Sequence, residues 1–222
     1  MKSKFHWQEM SLFLVALLPV AYLGYIYPHL PEIVPTHFGA DGKANAFSPK
    51  ASLWFWVFLL SVLSIFLYLL MKSLPAIDPK KNAKYSAAAF NKIGVALVLF
   101  LCAMNLFLIH ASLNTTLSFS KALPVLIGCF FTFMGNLMPT LKPNYFAGIR
   151  TPWTLENDET WRKTHRLAGR FWFAGGILII IEGLILPPTV SLFLMIAIIF
   201  ISVIIPVVYS YRYYKSLPQK HN

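Results

Sequence analysis

Long apolar runs alternate with short polar gaps along the whole chain, and the gaps hold most of the charge. An apolar helix needs about 20 residues to cross the hydrocarbon core of a bilayer. Six stretches approach that length: Ser11 to Tyr27, Ala51 to Met71, Ile93 to Ser112, Ala122 to Leu141, Phe171 to Leu186 and Thr189 to Tyr209. The first and fifth are short for a crossing, so their ends are expected to run into the flanks. None shows the alternation of polar and apolar positions that a barrel strand needs, which leaves helices as the spanning form. The predicted fold class is all-α, a polytopic membrane protein with six transmembrane helices. Pro187-Pro188 alone separates the last two runs, and proline cannot continue a helix, so these spans form an antiparallel hairpin. The first run follows Lys2 and Lys4 as a signal peptide would. It continues through Ala21-Tyr22-Leu23-Gly24-Tyr25 without a small-x-small cleavage site, and reads as a retained anchor.

Composition agrees with this pattern. Hydrophobic residues make up 57% of the chain and charged residues 12%, whereas a soluble domain carries about 25% charge. The net charge of +11 could suggest nucleic acid. The basic residues instead sit between spans, where they meet lipid phosphates, so no direct nucleic-acid binding is expected. Of the 19 Lys and Arg, sixteen fall on one side if the termini share that side, leaving Lys43, Lys50 and Lys121 on the other. Both termini are therefore expected in the cytoplasm of a bacterial plasma membrane protein. Trp54 and Trp56 at the outer end of the second span, and Tyr209, Tyr211, Tyr213 and Tyr214 at the inner end of the last, fit aromatic belts. Cys102 and Cys129 lie inside apolar runs, which argues against a disulfide framework.

Two polar segments are long enough to carry function, and they divide the chain. Residues 1–92 form an amino-terminal two-span region with an outer loop (28–50), and residues 93–222 a four-span region with a cytoplasmic motif loop (142–170). Pro31, Pro35 and the Asp41-Gly42 turn stiffen the outer loop, which reads as an ordered cap. His37 lacks a metal partner at ligand spacing and reads as a structural imidazole. In the inner loop, Pro152 pushes Thr151 away from helical geometry. Asn157 can then cap a helix bearing Asp158 and Glu159 in its first turn. Trp161, His165 and Ala168 share one face of that helix, which is expected to lie at the interface and turn into the fifth span near Gly169.

Arg150 is the first choice for function, because a guanidinium binds phosphate or carboxylate bidentately. A grip on a lipid phosphate or a helix terminus accounts for it equally well. Asn105 and Asn136 lie within spans and read as interhelical hydrogen-bonding glue. Glu182 is the one acid within a span, and His110 is a candidate to share a proton with it. No zinc helix, nucleophile elbow or glycine-rich phosphate loop occurs, so no enzyme activity, cofactor or metal is expected.

Gly135-Asn136, Asn144, Gly148-Ile149-Arg150-Thr151-Pro152-Trp153-Thr154-Leu155, Trp161 and His165-Arg166 together resemble the signature of the SdpI family of bacterial immunity proteins. Leu30-Pro31, Val34-Pro35, His37-Phe38, Gly42 and Asn45 are similar to a small domain of unknown function that accompanies this motif in longer members. The resemblance implies a membrane immunity and signalling protein. Such a protein gives resistance to a membrane-active peptide toxin outside the cell and holds a transcriptional repressor at the membrane. It marks Asn136, Asn144, Gly148, Arg150, Thr151, Pro152, Trp153, Thr154, Trp161, His165 and Arg166 as candidates for partner binding inside, and Pro31, Pro35, His37 and Gly42 outside. Two other classes stay open. A small transporter or channel would need a polar route past Asn105, Asn136 and Glu182. A membrane enzyme acting on lipid or peptide would need Arg150, His165 and one of Glu156, Asp158 or Glu159 to converge.

Overall fold

The computed structural model describes residues 7–80, 87–113 and 119–218. Lys2, Lys4, Lys81, Lys84 and Lys220, which enter the charge count, lie outside the described residues. Six helices are long and apolar enough to span a membrane: α1 (Trp7–Ile26), α2 (Ser52–Ile77), α3 (Ala87–Ala111), α4 (Phe119–Leu137), α6 (Asp158–Ile185) and α7 (Pro188–Ser216). A single-turn helix, α5 (Pro152–Glu156), sits in the inner loop. The outer loop carries a two-stranded antiparallel hairpin, β1 (Ile33–Phe38) and β2 (Ala44–Pro49). The fold is thus all-α apart from this small sheet, as the apolar pattern predicts.

One expectation is overturned. The segment after Asn157 does not lie along the interface and bend near Gly169. It runs unbroken into the fifth span as α6, 28 residues, about 42 Å at 1.5 Å per residue. That exceeds the ~30 Å hydrocarbon core, so one end of α6 stands clear of the bilayer and carries the motif residues. The helix continues through Gly169, which is an approach point for α4. A Cβ on Gly135 would lie 2.4 Å from the Phe173 amide nitrogen, and one on Gly169 2.8 Å from the Gly135 carbonyl. Further along, Gly128 and Gly176 meet in the same way, and Gly183 fits against Pro124. Glycines seven residues apart on each helix bring two backbones into contact along their length, the tightest association available between helices in lipid.

The helices form two groups. In one, α1, α2 and α3 pack together; Ser61, Ser64 and Gly94 keep α2 and α3 close, and Asn105 Nδ2 donates to the Val57 carbonyl (3.0 Å) and Ser61 Oγ (3.2 Å). In the other, α6 packs between α4 and α7, with Trp172 stacked on Phe131 at 4.4 Å and donating to the Ser202 carbonyl at 3.2 Å.

The groups are tied at both ends. On the hairpin side, Leu30 and Val34 at the hairpin base are buried among Leu23, Ile26, Leu53, Val57 and Ile109 of the first group. The hairpin tip reaches the second: Gly42, at φ +76°, lies so close to Ser120 that a Cβ would meet its hydroxyl at 2.6 Å. On the opposite side, Ala89 and Ile93 of α3 share an apolar cluster with Leu137, Met138, Leu141 and Trp161. The α2–α3 connection also touches the motif loop there. Motif loop, α2–α3 connection and the carboxy-terminal end of α7 thus share one face, as an even number of crossings requires.

Candidate functional site

The site grows from the first turns of α6. Asn157 Oδ1 accepts the Thr160 amide at 2.8 Å and caps the helix, with Asp158 and Glu159 favourable at its positive end. Trp161, Thr164, His165 and Ala168 then repeat on one face, and all four are buried; Arg162, Arg166 and Arg170 occupy the exposed side. The preceding loop folds back over the buried face and bonds to it.

Asn144 is the loop's internal pin. Fully buried, its Oδ1 accepts the Phe146 and Ala147 amides (2.8 and 2.7 Å), and its Nδ2 donates to the Lys142 and Ala147 carbonyls (2.9 and 3.1 Å). All four hydrogen-bonding directions of the amide are used. Gly148 follows at φ +104°, a conformation that disfavours any side chain, and a Cβ there would lie 2.2 Å from His165 Nε2. This bare backbone lets the Ile149 amide donate to His165 Nε2 at 3.0 Å. His165 Nδ1 donates to the Trp161 carbonyl at 2.9 Å, and the two rings stack with centroids 4.0 Å apart. One imidazole nitrogen must accept and the other donate, so this geometry requires the neutral ring protonated at Nδ1.

Thr151 and Thr154 form a reciprocal cap for α5, and Thr154 Oγ1 also reaches the Ile149 carbonyl at 2.8 Å. Pro152 at the first helical position costs no hydrogen bond. Trp153 then crosses to α7, where its Nε1 donates to Ser210 Oγ at 2.7 Å and its ring meets Tyr211 edge-on. Trp161 Nε1 donates to the Leu141 carbonyl at 2.8 Å. The motif is therefore a knot in which loop, α6 and α7 satisfy one another's polar groups.

Three further ties were not legible in the sequence. Asp78, between α2 and α3, accepts the Tyr145 amide at 2.9 Å, and Lys80 bonds to the Leu155 carbonyl. Glu9 of α1 and Lys72 of α2 pair on the same face. Such long-range partners leave no local signal in spacing.

Arg150 is exposed and donates to the Tyr145 carbonyl; Arg166 is also exposed. Both face the solvent or headgroup side, where an acidic surface or phosphate can reach them. Asn136 is exposed near the end of α4, so the expectation that it glues helices fails; Asn105 does act so. The triad required of a membrane enzyme does not converge. His165 is buried with both nitrogens engaged, while Glu159 accepts from Tyr213 at 2.6 Å and pairs with Lys163 at 3.5 Å. Among the described residues no three His, Cys, Asp or Glu side chains group as a metal site would.

In the hairpin loop, Pro35 is buried and Pro31 half-buried, and exposed His37 donates from Nδ1 to Asn45 Oδ1 at 2.6 Å across the hairpin. The candidate proton sharing between Glu182 and His110 is not formed. Glu182 is buried with Ser191 of α7 as its polar neighbour, and among the described residues neither carboxylate oxygen has a hydrogen-bond partner. His110 instead lines a groove beside α4.

The fold and this inner knot define a multi-pass bacterial membrane protein whose shared motif locks a loop onto the protruding end of a span. Residues 140–210, which contain the knot, match the model of the SdpI/YfhL protein family. Residues 14–65, with the outer hairpin, match a domain of unknown function, DUF1648. The chain is 26% identical over 192 residues to "Immunity protein SdpI" of Bacillus subtilis (strain 168), covering 86% of this chain and 88% of that protein. No solved structure matches it.

Proposed function

We propose that this chain is an immunity protein of the bacterial plasma membrane that protects its cell from a membrane-active peptide toxin and signals through its inner face. The observation that carries this reading is the likeness to an immunity protein along 86% of the chain, spanning both the outer hairpin and the inner knot. In this reading the outer face bears the hairpin and receives the toxin, and the termini and knot are cytoplasmic, as the charge bias favours. The unbroken α6 supports coupling, because one rigid element joins Gly183 at the outer end to Trp161 and His165 at the inner end. Exposed Arg150 and Arg166 are then the contacts offered to a cytoplasmic partner such as a transcriptional repressor.

Transport is disfavoured by placement. Asn105 is consumed between α2 and α3, Asn136 sits at the end of α4, and Glu182 faces α7, so the three define no common route. Catalysis is disfavoured because the imidazole it would use is buried and fully hydrogen-bonded.

Expression in a toxin-sensitive strain tests the proposal. Survival should rise above the empty-vector control, and a reporter at the carboxy terminus should behave as cytoplasmic. Unchanged survival with correctly inserted protein overturns the immunity reading.

A further inference from the structure

The two helix groups are joined at both faces, and between them α3 and α4 meet through Phe100 and Phe130 but leave cavities of definite shape beside that contact. Toward the outer end, α1, α3, α4 and α6 enclose a groove of about 940 Å³, within the range of small-ligand pockets. Leu18, Leu106, Phe107, Val125 and Leu184 give it apolar walls, and the exposed Lys121 stands at its mouth. No Asp or Glu is among its lining residues. A second apolar cavity of about 330 Å³ continues along the α3–α4 seam, sharing the Ala103 and Leu126 walls and ending near Val95 and Phe133.

We infer that this groove is a binding site for one anionic phospholipid of the outer leaflet, its phosphate on Lys121 and one acyl chain lying down the α3–α4 seam. Charge and length both favour that occupant. The groove offers a cation, Lys121, with Tyr22 and His110 as its other polar-capable lining residues, and the seam below is walled by Val95, Leu99, Phe100, Phe130 and Phe133, the complement of an anionic head on a hydrocarbon tail. From Lys121 to Phe133 the helix advances about 18 Å, close to one leaflet's ~15 Å share of the hydrocarbon core. A helical peptide fits less well: a helix with its side chains is about 10–12 Å across, whereas Phe100 and Phe130 meet across the α3–α4 seam with ring centroids 4.9 Å apart. Bound there, the lipid fills this seam between the groups and ties their outer halves together.

The test uses the full chain in lipid nanodiscs with phosphatidylglycerol bearing a diazirine near the end of one acyl chain. Photolysis should place cross-links on α3 and α4 between residues 95 and 133, competed by unlabelled phosphatidylglycerol and not by phosphatidylcholine. Lys121→Gln should lower this labelling about fivefold, the effect of one interfacial cation. Leu126→Trp, which fills the groove and keeps the charge, should abolish labelling in the seam. Cross-links spread evenly over all six spans would show annular lipid only and overturn the inference. So would equal competition by phosphatidylcholine, or an α3–α4 cross-link to a second copy or to an added apolar peptide in place of lipid. The wild-type cross-link map decides the matter even if a variant fails to insert.

Discussion

Gly148→Ala is the sharpest perturbation of the inner knot, because two independent costs fall on one methyl group. The backbone at φ +104° disfavours any L side chain, at about 1–3 kcal/mol for a residue held in a sparsely populated region. The methyl also lands 2.2 Å from His165 Nε2, so the imidazole must move and the Ile149 amide loses its acceptor, a further 1–3 kcal/mol or so for a part-buried donor left unpaired. Together these come to about 2–6 kcal/mol, a large share of the ~5–15 kcal/mol that holds a folded domain. For a chain of this length that lowers Tm by roughly 5–20 °C. Thermal unfolding of the purified protein in detergent, followed by tryptophan fluorescence, reads this directly, since Trp161 stacks on His165. The two costs separate in a double-mutant cycle. In a His165→Ala background the steric part vanishes, so Gly148→Ala should cost only its backbone part and the cycle should show about 1–3 kcal/mol of coupling. A single variant that melts with the wild type, or a cycle without coupling, would refute the argument that glycine is required for the approach to His165.

Glu182→Met should stabilise the protein by roughly 1–3 kcal/mol, because it removes a buried carboxyl without hydrogen bonds and keeps apolar volume; a lower melting temperature would mean the carboxyl has an unseen partner. Loss of protection despite higher stability would give Glu182 a functional role. Gly176→Val places carbon where Thr132 and the Gly128 carbonyl already lie, at 2.3 and 2.6 Å, and should separate α4 from α6. Proteolytic sensitivity of the α4–α5 region should rise sharply, and wild-type resistance would show that the helices slide to accommodate it. Asp78→Ala should free the Tyr145 amide at a cost of about 1.5–3 kcal/mol, the range for hydrogen bonds to charged groups. Hydrogen exchange at Tyr145 should accelerate while exchange in α6 beyond Ala168 stays slow; slowed or unchanged exchange at Tyr145 would sink the claim that Asp78 pins the loop.

Much of this architecture is written in the sequence because it depends on local or one-dimensional signals. Span number follows from the length of apolar runs. The Asn157 cap and the Trp161-His165-Ala168 face follow from spacing along one helix, and the α6–α7 turn from Pro187-Pro188. The missed features depend on partners far away in the chain. The bend expected near Gly169 illustrates the reason. A glycine beside a change from polar to apolar composition looks like a hinge, yet the same residue is obligatory where the α4 backbone passes at van der Waals distance. Only the Gly135 contact tells these apart. Asn136 failed in the opposite sense: its position inside an apolar run suggested burial, but α4 ends one residue later at Leu137 and the amide is exposed. The strands of the outer loop carried no alternation, since Pro35 and the irregular register around His37 break it.

The site residues form two sets with different physical duties. Asn144, Gly148, Thr151, Thr154, Trp161 and His165 spend their hydrogen-bonding capacity on one another and on the backbone, so they build the knot and have little left for a partner. Arg150 and Arg166 are held on its surface with unused donors, and in the proposed reading they are the groups a cytoplasmic partner would contact. Substituting a member of the first set should therefore abolish recognition by unfolding the loop, whereas charge removal at Arg150 or Arg166 should weaken recognition with the knot intact. The outer hairpin has the corresponding position across the membrane. Its base belongs to one helix group and its tip, through Gly42 and Ser120, to the other. Any ligand that shifts the hairpin must change how the two groups meet, and α6 carries that change inward because its glycine contacts with α4 leave it no hinge.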